Sequence, residues 1–155
     1  MPKVCDHTSV GMLIWRDGRL LLIERKKGVL GFAPPAGHVD QHGSYEDAAR
    51  QEVLEEVGLT TPSIELLIEG RKDNLCRRED GSWHYWKIYK VEATGEIVRS
   101  EDETKQVGYY SPEELERLAQ KTEAFKRGEI DSATWAASPG LEPVWYEWLQ
   151  ELNLT

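Results

Sequence analysis

Residues 35–59 read PAGHVDQHGSYEDAARQEVLEEVGL, a glycine-containing loop followed by a strongly patterned segment. The second part predicts a helix over residues 44–57, because Ser44 can cap its N-terminus and Gly58 stands where a C-terminal cap belongs. Side chains that can form one packing stripe recur every four residues: Tyr45, Ala49, Val53 and Val57. We therefore expect this helix to pack one face on a sheet.

Three glutamates share one side of the same predicted helix. Glu52, Glu55 and Glu56 stand at i, i+3 and i+4, so a rotation of about 100° per residue places them within one arc. Unneutralised carboxylates so placed repel one another, whereas Mg²⁺ prefers oxygen ligands and commonly joins carboxylates to substrate phosphates. The cluster indicates a metal site at the edge of the core, although the E-x-x-E-E pattern alone is more often a solvated acidic face.

The residues before this segment predict a hairpin and a long loop. Apolar runs at residues 8–15 and 19–25 flank Arg16-Asp17-Gly18. Because Asp-Gly supplies the positive φ of a tight turn, we expect two antiparallel strands there. Residues 26–39 contain three glycines and two prolines without a sustained period, which predicts a shaped loop.

The residues after the segment predict more strands and then helices. Strands are expected at residues 63–70, 82–93 and 106–110, and helices are expected from Ser111-Pro112 and from Pro143. Trp135, Trp145 and Trp148 near the end of the chain are expected in the core or in a pocket wall. Strands on both sides of one helix, with helices late, predict an α/β sheet covered on both faces. No linker divides the chain, so we expect a single domain over residues 1–155.

Composition and charge restrict the partners. The chain has 155 residues, 39% of them hydrophobic and 30% charged, which is typical of a folded domain. Its formal net charge of −9 repels polynucleotide phosphates, so we expect no binding of DNA or RNA. A small phosphorylated substrate is compatible with this charge if metal ions neutralise it where the two meet.

The number of cysteines and the absence of long apolar windows indicate the cellular compartment of the protein. Cys5 and Cys76 are too few for a disulfide framework or a four-cysteine zinc site, which favours a reducing cytoplasm. No window approaches the roughly 20 apolar residues of a membrane span, and no signal segment opens the chain, so we expect neither membrane insertion nor secretion.

His38, His42 and His84 show no metal-ligand spacing, and we interpret each as structural or exposed.

Residues 35–59 also resemble a known motif, the Nudix box, written G-x5-E-x7-R-E-U-x-E-E-x-G-U with U an aliphatic residue. Seven of its nine specified positions agree: Gly37, Glu52, Val53, Glu55, Glu56, Gly58 and Leu59. The resemblance continues in the strand that contains Arg25 and in residues 103–115, which are similar to the family's late strand and S-P-E-E-L helix start. It implies the Nudix fold, an α/β/α sandwich with a mixed central sheet.

Two positions depart from the motif. Gly43 and Gln51 stand where the family has glutamate and arginine, which by resemblance form an ion pair that braces the loop against the helix. Their joint absence is milder than the loss of one partner, because no unpaired charge is left behind. It still bears on how firmly the helix is held and how fast an enzyme would turn over.

The resemblance implies roles for individual residues. The carbonyl of Gly37 and the side chains of Glu52, Glu55 and Glu56 are similar to the family's metal shell, for Mg²⁺ or alternatively Mn²⁺. The base that accepts a proton from the attacking water is a box glutamate or an acid in a later loop, which makes Glu52 and Glu103 the candidates, with Glu101 behind them. Arg25 is expected to contact substrate phosphate, whereas Lys26 and Lys27 fit a solvated basic turn equally well.

The implied activity is hydrolysis of a diphosphate bond, in a nucleoside diphosphate linked to another moiety or in a nucleoside triphosphate. Two alternatives remain open from the sequence: a weakly catalytic module that binds a phosphorylated ligand, motivated by Gly43 and Gln51, and a protein-interaction domain that uses the acidic helix. The substrate is read by residues outside the motif. Exposed tryptophans in the tail would leave a surface open for a homodimer.

Overall fold

The computed structural model describes residues 3–155. Its strands are β1 (Thr8–Arg16), β2 (Arg19–Arg25), β3 (Phe32–Ala33), β4 (Ala36–Gly37), β5 (Thr60–Lys72), β6 (His84–Thr94) and β7 (Thr104–Tyr110). Its helices are α1 (Tyr45–Val57), α2 (Pro112–Lys126), α3 (Ser132–Ala137) and α4 (Pro143–Glu151).

The strands form a mixed sheet, as predicted. Its order is β3-β2-β1-β6-β5, while β4 pairs with β1 and β7 pairs with β2. β1 runs parallel to β6, and the remaining pairs are antiparallel. With helices on both faces, this is the expected α/β/α sandwich, and the α/β prediction is confirmed.

The predicted hairpin is formed by β1 and β2. Asp17 and Gly18 have φ values of 53° and 75°, the positive φ that a two-residue turn between twisted strands requires. Alternate side chains of β2 enter two different cores, since Leu20 and Leu22 lie on one face and Leu21 and Ile23 on the other. Both faces are therefore buried, which explains why the run RLLLIER is apolar without alternation.

Helix α1 covers one face and begins and ends where the sequence predicts. The Ser44 side chain accepts a hydrogen bond from the backbone N–H of Asp47, and Gly58 adopts the left-handed conformation at φ 74°. Ala49, Val53 and Val57 are fully buried in the core beneath the helix. The stripe with a four-residue period thus packs on the sheet.

Helices α2 and α4 cover the opposite face. The capping box of Ser111 and Glu114 starts α2, and α4 contributes Trp145 and Trp148 to the second core. A Cβ on Gly11 of β1 would clash with the Trp145 ring, so the indole packs directly on the strand backbone. Trp135, Trp145 and Trp148 are buried, which confirms their expected place in the core, and they form no exposed surface for a partner.

Three features differ from the sequence prediction. The loop over residues 26–39 contains the two-residue strands β3 and β4, which exist because they pair with β2 and β1. Strand β5 is longer than predicted, and α3 was not predicted. Among residues 3–155, no helix combines the length and apolarity needed to cross a membrane.

Candidate active site

A cavity of about 500 Å³ lies where α1, β4 and the loops after β2 and before β7 meet. The predicted site residues that line it are Arg25, Gly37, Glu52, Glu55, Glu56 and Glu103. The fold therefore brings these six residues together in one cavity. Glu101 and Lys26 do not line the cavity, although Lys27 does.

Glu56 is the most deeply buried of these acids. Its residue is 3% exposed, and its Oε2 atom has no hydrogen-bond partner within residues 3–155. Burial raises the pKa of Glu56 well above its usual value, and the positive charge of Arg25 only partly opposes this. A buried carboxylate oxygen without a partner is costly, and a hard divalent cation would supply the missing positive charge.

Glu52 lies one helical turn before Glu56 and faces the same space. Burial, with smaller contributions from the charges of Glu55 and Glu103, raises the pKa of Glu52 to about 8. Its carboxylate reaches β4, because a Cβ on Gly37 would lie 2.6 Å from Glu52 Oε1. A side chain at position 37 would push the Glu52 carboxylate away, so the glycine lets this carboxylate lie against β4.

At the two positions that depart from the motif, this chain has an amide that forms a local hydrogen bond, Gln51, and a glycine with a positive φ, Gly43. Gln51 Nε2 donates to Glu55 Oε1 at 2.9 Å, so the amide orients one of the three glutamates. Gly43 has a φ of 94°, which a glutamate would adopt only with strain. The loop thus enters α1 with a backbone turn that the family's residue does not favour.

Arg25 forms an ion pair that the sequence analysis missed. Its Nε donates to Glu142 Oε2 at 2.6 Å, and both side chains are largely buried, at 26% and 8% exposed. The charge of Glu142 raises the pKa of Arg25 above its already high value. Glu142 directly precedes α4 and lies 117 positions from Arg25, so no local signal could have identified it.

The backbone holds Glu142 in this place. Its N–H donates to the carbonyl of Phe32 in β3, and the N–H of Phe32 donates to the carbonyl of Gly140. A Cβ on Gly31 would come within 2.5 Å of the Glu142 backbone nitrogen. The tail of the chain is therefore anchored on the loop that shapes the cavity.

The candidate bases differ in position. Glu103 lies just before β7, where its carbonyl accepts a hydrogen bond from the Lys26 backbone, and its side chain faces the cavity. Glu101 lies outside, and its carbonyl accepts a hydrogen bond from Lys26 Nζ. Between the two loop acids, the geometry favours Glu103.

The far wall of the cavity contains His38, Cys76 and His84. Together with Cys5, their potential ligand atoms all lie within 4.8 Å of one another. His38 and His84, which show no metal-ligand spacing in the sequence, thus lie together with two cysteines in the fold. The four residues come from separate segments, so no spacing in the sequence could reveal them.

Comparison with known proteins identifies the family of this chain. The model of the NUDIX domain matches residues 6–132. No curated protein matches the chain.

Solved structures share the fold. A NUDIX hydrolase from Nitrosomonas europaea is 20% identical, with 83% of this chain and 91% of that chain covered and a TM-score of 0.60. A hydrolase of the NUDIX family from Clostridium perfringens is 21% identical, with 72% and 85% covered and a TM-score of 0.57. A MutT NUDIX hydrolase from Burkholderia pseudomallei is 27% identical, with 69% and 84% covered and a TM-score of 0.53.

Proposed function

Because this chain belongs to the Nudix family and is a hydrolase of that family, we propose that its cavity cleaves the diphosphate bond of a nucleotide. The substrate is a nucleoside diphosphate linked to another moiety, or a nucleoside triphosphate. The cofactor is Mg²⁺, with Mn²⁺ as the alternative ion.

One observation carries the proposed metal requirement: the buried Oε2 of Glu56 lies beside the carboxylate of Glu52 and has no hydrogen-bond partner among residues 3–155. The negative charge of Glu52 repels those of Glu55 and Glu56, and a bound cation would offset this repulsion. The residues that would hold the ion are Gly37, through its carbonyl, and Glu52, Glu55 and Glu56. A bound divalent ion supplies Lewis acidity at the diphosphate and lowers the pKa of a water at the site.

The remaining chemistry belongs to side chains around this shell. A carboxylate must accept the proton of the attacking water, and Glu52 and Glu103 both line the cavity. Arg25 stays a candidate for phosphate binding through the guanidinium N–H groups that do not bond Glu142. Lys27 and Arg77 also face the cavity and add positive charge to its wall.

We extend the proposal to the whole chain as one domain over residues 1–155. Helix α4 supports this, because Trp145 and Trp148 pack in the same core as Leu20 and Leu22 of β2. The free cysteines support a reducing location such as the cytoplasm. The partner is a small phosphorylated molecule, since the net charge of −9 disfavours nucleic acid polymers.

The test is phosphate release from a panel of nucleotides with and without Mg²⁺. The Glu56→Gln variant should lower the rate at least about tenfold, a barrier change of roughly 1.4 kcal/mol, because one charged ligand is lost. Its fold should persist, since the amide has nearly the shape of the acid. Unchanged activity would remove Glu56 from the proposed metal shell.

The matched control is Glu46→Gln, which removes an exposed carboxylate from the first turn of the same helix. It should leave turnover unchanged. A wild-type chain that hydrolyses no compound of the panel, yet shows a rise in melting temperature with nucleotide, would contradict the proposed activity and indicate a binding module. A melting temperature that responds to neither metal nor nucleotide would favour a protein-interaction role instead.

A further inference from the structure

We infer that Cys5, His38, Cys76 and His84 bind one Zn²⁺ ion, at a site separate from the carboxylate shell of the proposed hydrolytic centre. The four residues each offer one ligand atom, and these atoms all lie within 4.8 Å of one another. Two thiols and two imidazoles are the ligands of tetrahedral zinc sites in proteins. The inference does not depend on the substrate or on the metal used in hydrolysis.

The distances are close to those of a tetrahedral shell. Cys5 Sγ lies 3.6 Å from His38 Nε2 and 3.3 Å from His84 Nε2. Zn–N and Zn–S bonds of about 2.0–2.3 Å place tetrahedral ligands roughly 3.3–3.8 Å apart. Side-chain adjustments of less than about an ångström would complete the shell.

Both sulfurs accept backbone hydrogen bonds of the same kind. The N–H of His7 donates to Cys5 Sγ at 3.3 Å, and the N–H of Arg78 donates to Cys76 Sγ at 3.4 Å. In each case the donor lies two residues after the cysteine. Such bonds stabilise a thiolate more than a thiol, and the thiolate is the form that binds a metal.

The turn after Cys76 is shaped around its sulfur. Cys76 N–H donates to the carbonyl of Gly81, and a Cβ on Gly81 would clash with Cys76 Sγ. The N–H of Cys5 donates to the carbonyl of Glu79 at 2.8 Å, which joins the N-terminal segment to the same turn. The backbone thus brings the two cysteines together before any ion is considered.

A second contact orients one imidazole. His84 Nδ1 lies 3.2 Å from Asn74 Oδ1, which also accepts a hydrogen bond from Trp86 Nε1. Because the amide oxygen only accepts, this contact assigns the proton to Nδ1 and leaves the Nε2 lone pair facing Cys5. A hydrogen bond to the far nitrogen of a histidine is the usual support of a metal ligand.

Charge and burial favour zinc over a hard ion here. Cys5 and His84 are 4% and 1% exposed. Two thiolates and two neutral imidazoles balance the charge of Zn²⁺, so the complete site can be buried without a net charge. Four protein ligands leave no open position, which indicates a structural ion.

The ion would join four separate parts of the chain beside the proposed active site. His38 follows Gly37 of β4, and Cys76 lies in the loop between β5 and β6, whose Arg77 lines the cavity. Zinc would therefore fix the loop that forms the far wall and the strand that carries the Gly37 carbonyl. Its role is to hold the cavity in shape.

The first experiment is the metal content of the purified protein, prepared without chelator. We expect about one zinc per chain in the wild type and in Glu56→Gln, and a large loss in Cys76→Ser and in His84→Ala. His42→Ala is the matched control, because it removes a histidine outside the cluster and should keep the ion. Full zinc content in Cys76→Ser would overturn the assignment, whereas a failure of Mg²⁺-dependent hydrolysis alone would leave it intact.

The second experiment uses the wild-type protein, so it tests the site even if the variants fail to fold. The wild-type protein is titrated with a mercurial thiol reagent while a chromophoric chelator reports free zinc, and the release should reach completion as both thiols react. Replacement by Co²⁺ should give sulfur-to-cobalt charge transfer and the visible bands of a tetrahedral ion. A wild-type protein without zinc that takes up no Co²⁺, or one in which Cys5 and Cys76 form a disulfide, would overturn the site.

Discussion

Arg25 and Glu142 form a buried ion pair that joins the second strand to the start of the last helix. Replacing one partner of such a pair leaves an uncompensated charge, which costs about 3–5 kcal/mol when burial is complete. Because Arg25 is partly exposed, we expect Arg25→Gln and Glu142→Gln each to lower the free energy of unfolding by roughly 2–3 kcal/mol. Urea unfolding measures both.

The double variant separates the pair from its surroundings. Arg25→Gln with Glu142→Gln should cost clearly less than the sum of the single changes, with a coupling energy above about 1 kcal/mol. If the double variant loses as much stability as the two single variants together, the two side chains do not interact and the ion pair is contradicted. If Arg25 also binds phosphate, Arg25→Gln should raise KM more than Glu142→Gln does, since only the arginine would contact substrate.

The raised pKa of Glu52 predicts a pH-dependent stability. Between its ordinary value of 4.5 and its value of about 8, the folded chain keeps a proton that the unfolded chain has lost. Stability must then fall as pH rises through this range. Without divalent cations in the buffer, wild type should lose at least about 1 kcal/mol relative to Glu52→Gln between pH 5 and pH 8, or roughly 2–4 °C in Tm.

The comparison with Glu52→Gln cancels the titration of groups that do not interact with Glu52, such as His38, whose pKa burial lowers to about 4. Thermal unfolding of both proteins at pH 5, 6.5 and 8 provides the measurement. Parallel curves at all three pH values would show that Glu52 is not the responsible group. Added Mg²⁺ should reduce the difference, because the ion stabilises the charged form.

The glutamates were predictable from the sequence, and the other partners of the cavity were not. Glu52, Glu55 and Glu56 lie on one helix, so their spacing alone fixes their common direction. Glu142 and the ligands of the proposed zinc site meet only through long-range pairing, which a single sequence does not encode locally. The two cysteines could be counted, but their distance of 71 positions along the chain says nothing about their distance in space.

Hydrogen bonds at the C-terminal end of helix α1 fix the position of Glu56. The N–H of Val98 donates to the carbonyl of Val57, and the N–H of Ser100 donates to the carbonyl of Glu56. Gly58, in the left-handed conformation, lets the chain turn away beneath this loop. The end of the helix and the position of the catalytic candidate therefore depend on one glycine.

Gly58→Ala should be more harmful than the left-handed conformation alone explains. A Cβ there would lie 2.8 Å from Val98 Cβ, so overpacking of about 1–3 kcal/mol adds to a backbone cost of roughly 1–2 kcal/mol. Urea unfolding should show the sum, and turnover should fall because Glu56 moves.

Gly128→Ala is the matched control. Gly128 follows α2 with a φ of 78°, and no heavy atom within residues 3–155 lies within 4 Å of the position where its Cβ would be. Only the backbone cost of about 1–2 kcal/mol should appear there. Equal losses for the two variants would show that the contact with Val98 has no energetic weight.

Most elements with local signals were predicted, although the six-residue helix α3 was missed despite its Asp131 N-cap. The hairpin turn, the caps of α1 and the Ser111 capping box are all determined within a few residues. β3 and β4 have two residues each and no local pattern, so only their pairing with β2 and β1 creates them. The limits of β5 shifted because its bulges and its pairing with β6 extend it past the apolar run.

The elements on the two faces of the sheet contribute different residues to the cavity and to the core. On one face α1 carries the carboxylates, while on the other Glu142, just before α4, lines the same cavity and α4 adds two tryptophans to the core. The family match ends at residue 132, before α4 begins. Whether the chain is one folding unit is therefore a question about α4.

A chain shortened to residues 1–132 should fail to fold cooperatively. It would lose Trp145 and Trp148, which are 0% and 2% exposed, and would leave Arg25 without Glu142. Removing a buried tryptophan side chain costs about 3–5 kcal/mol, so the loss of two approaches the whole stability of a domain, roughly 5–15 kcal/mol. Near-ultraviolet circular dichroism and thermal unfolding should show loss of fixed packing, whereas Glu147→Gln, an exposed change on α4, should shift Tm by less than about 2 °C. A shortened chain that melts cooperatively near the wild-type Tm and still hydrolyses the substrate would show that α4 is an appendage, because the opposite face of the sheet would then be stable without its cover.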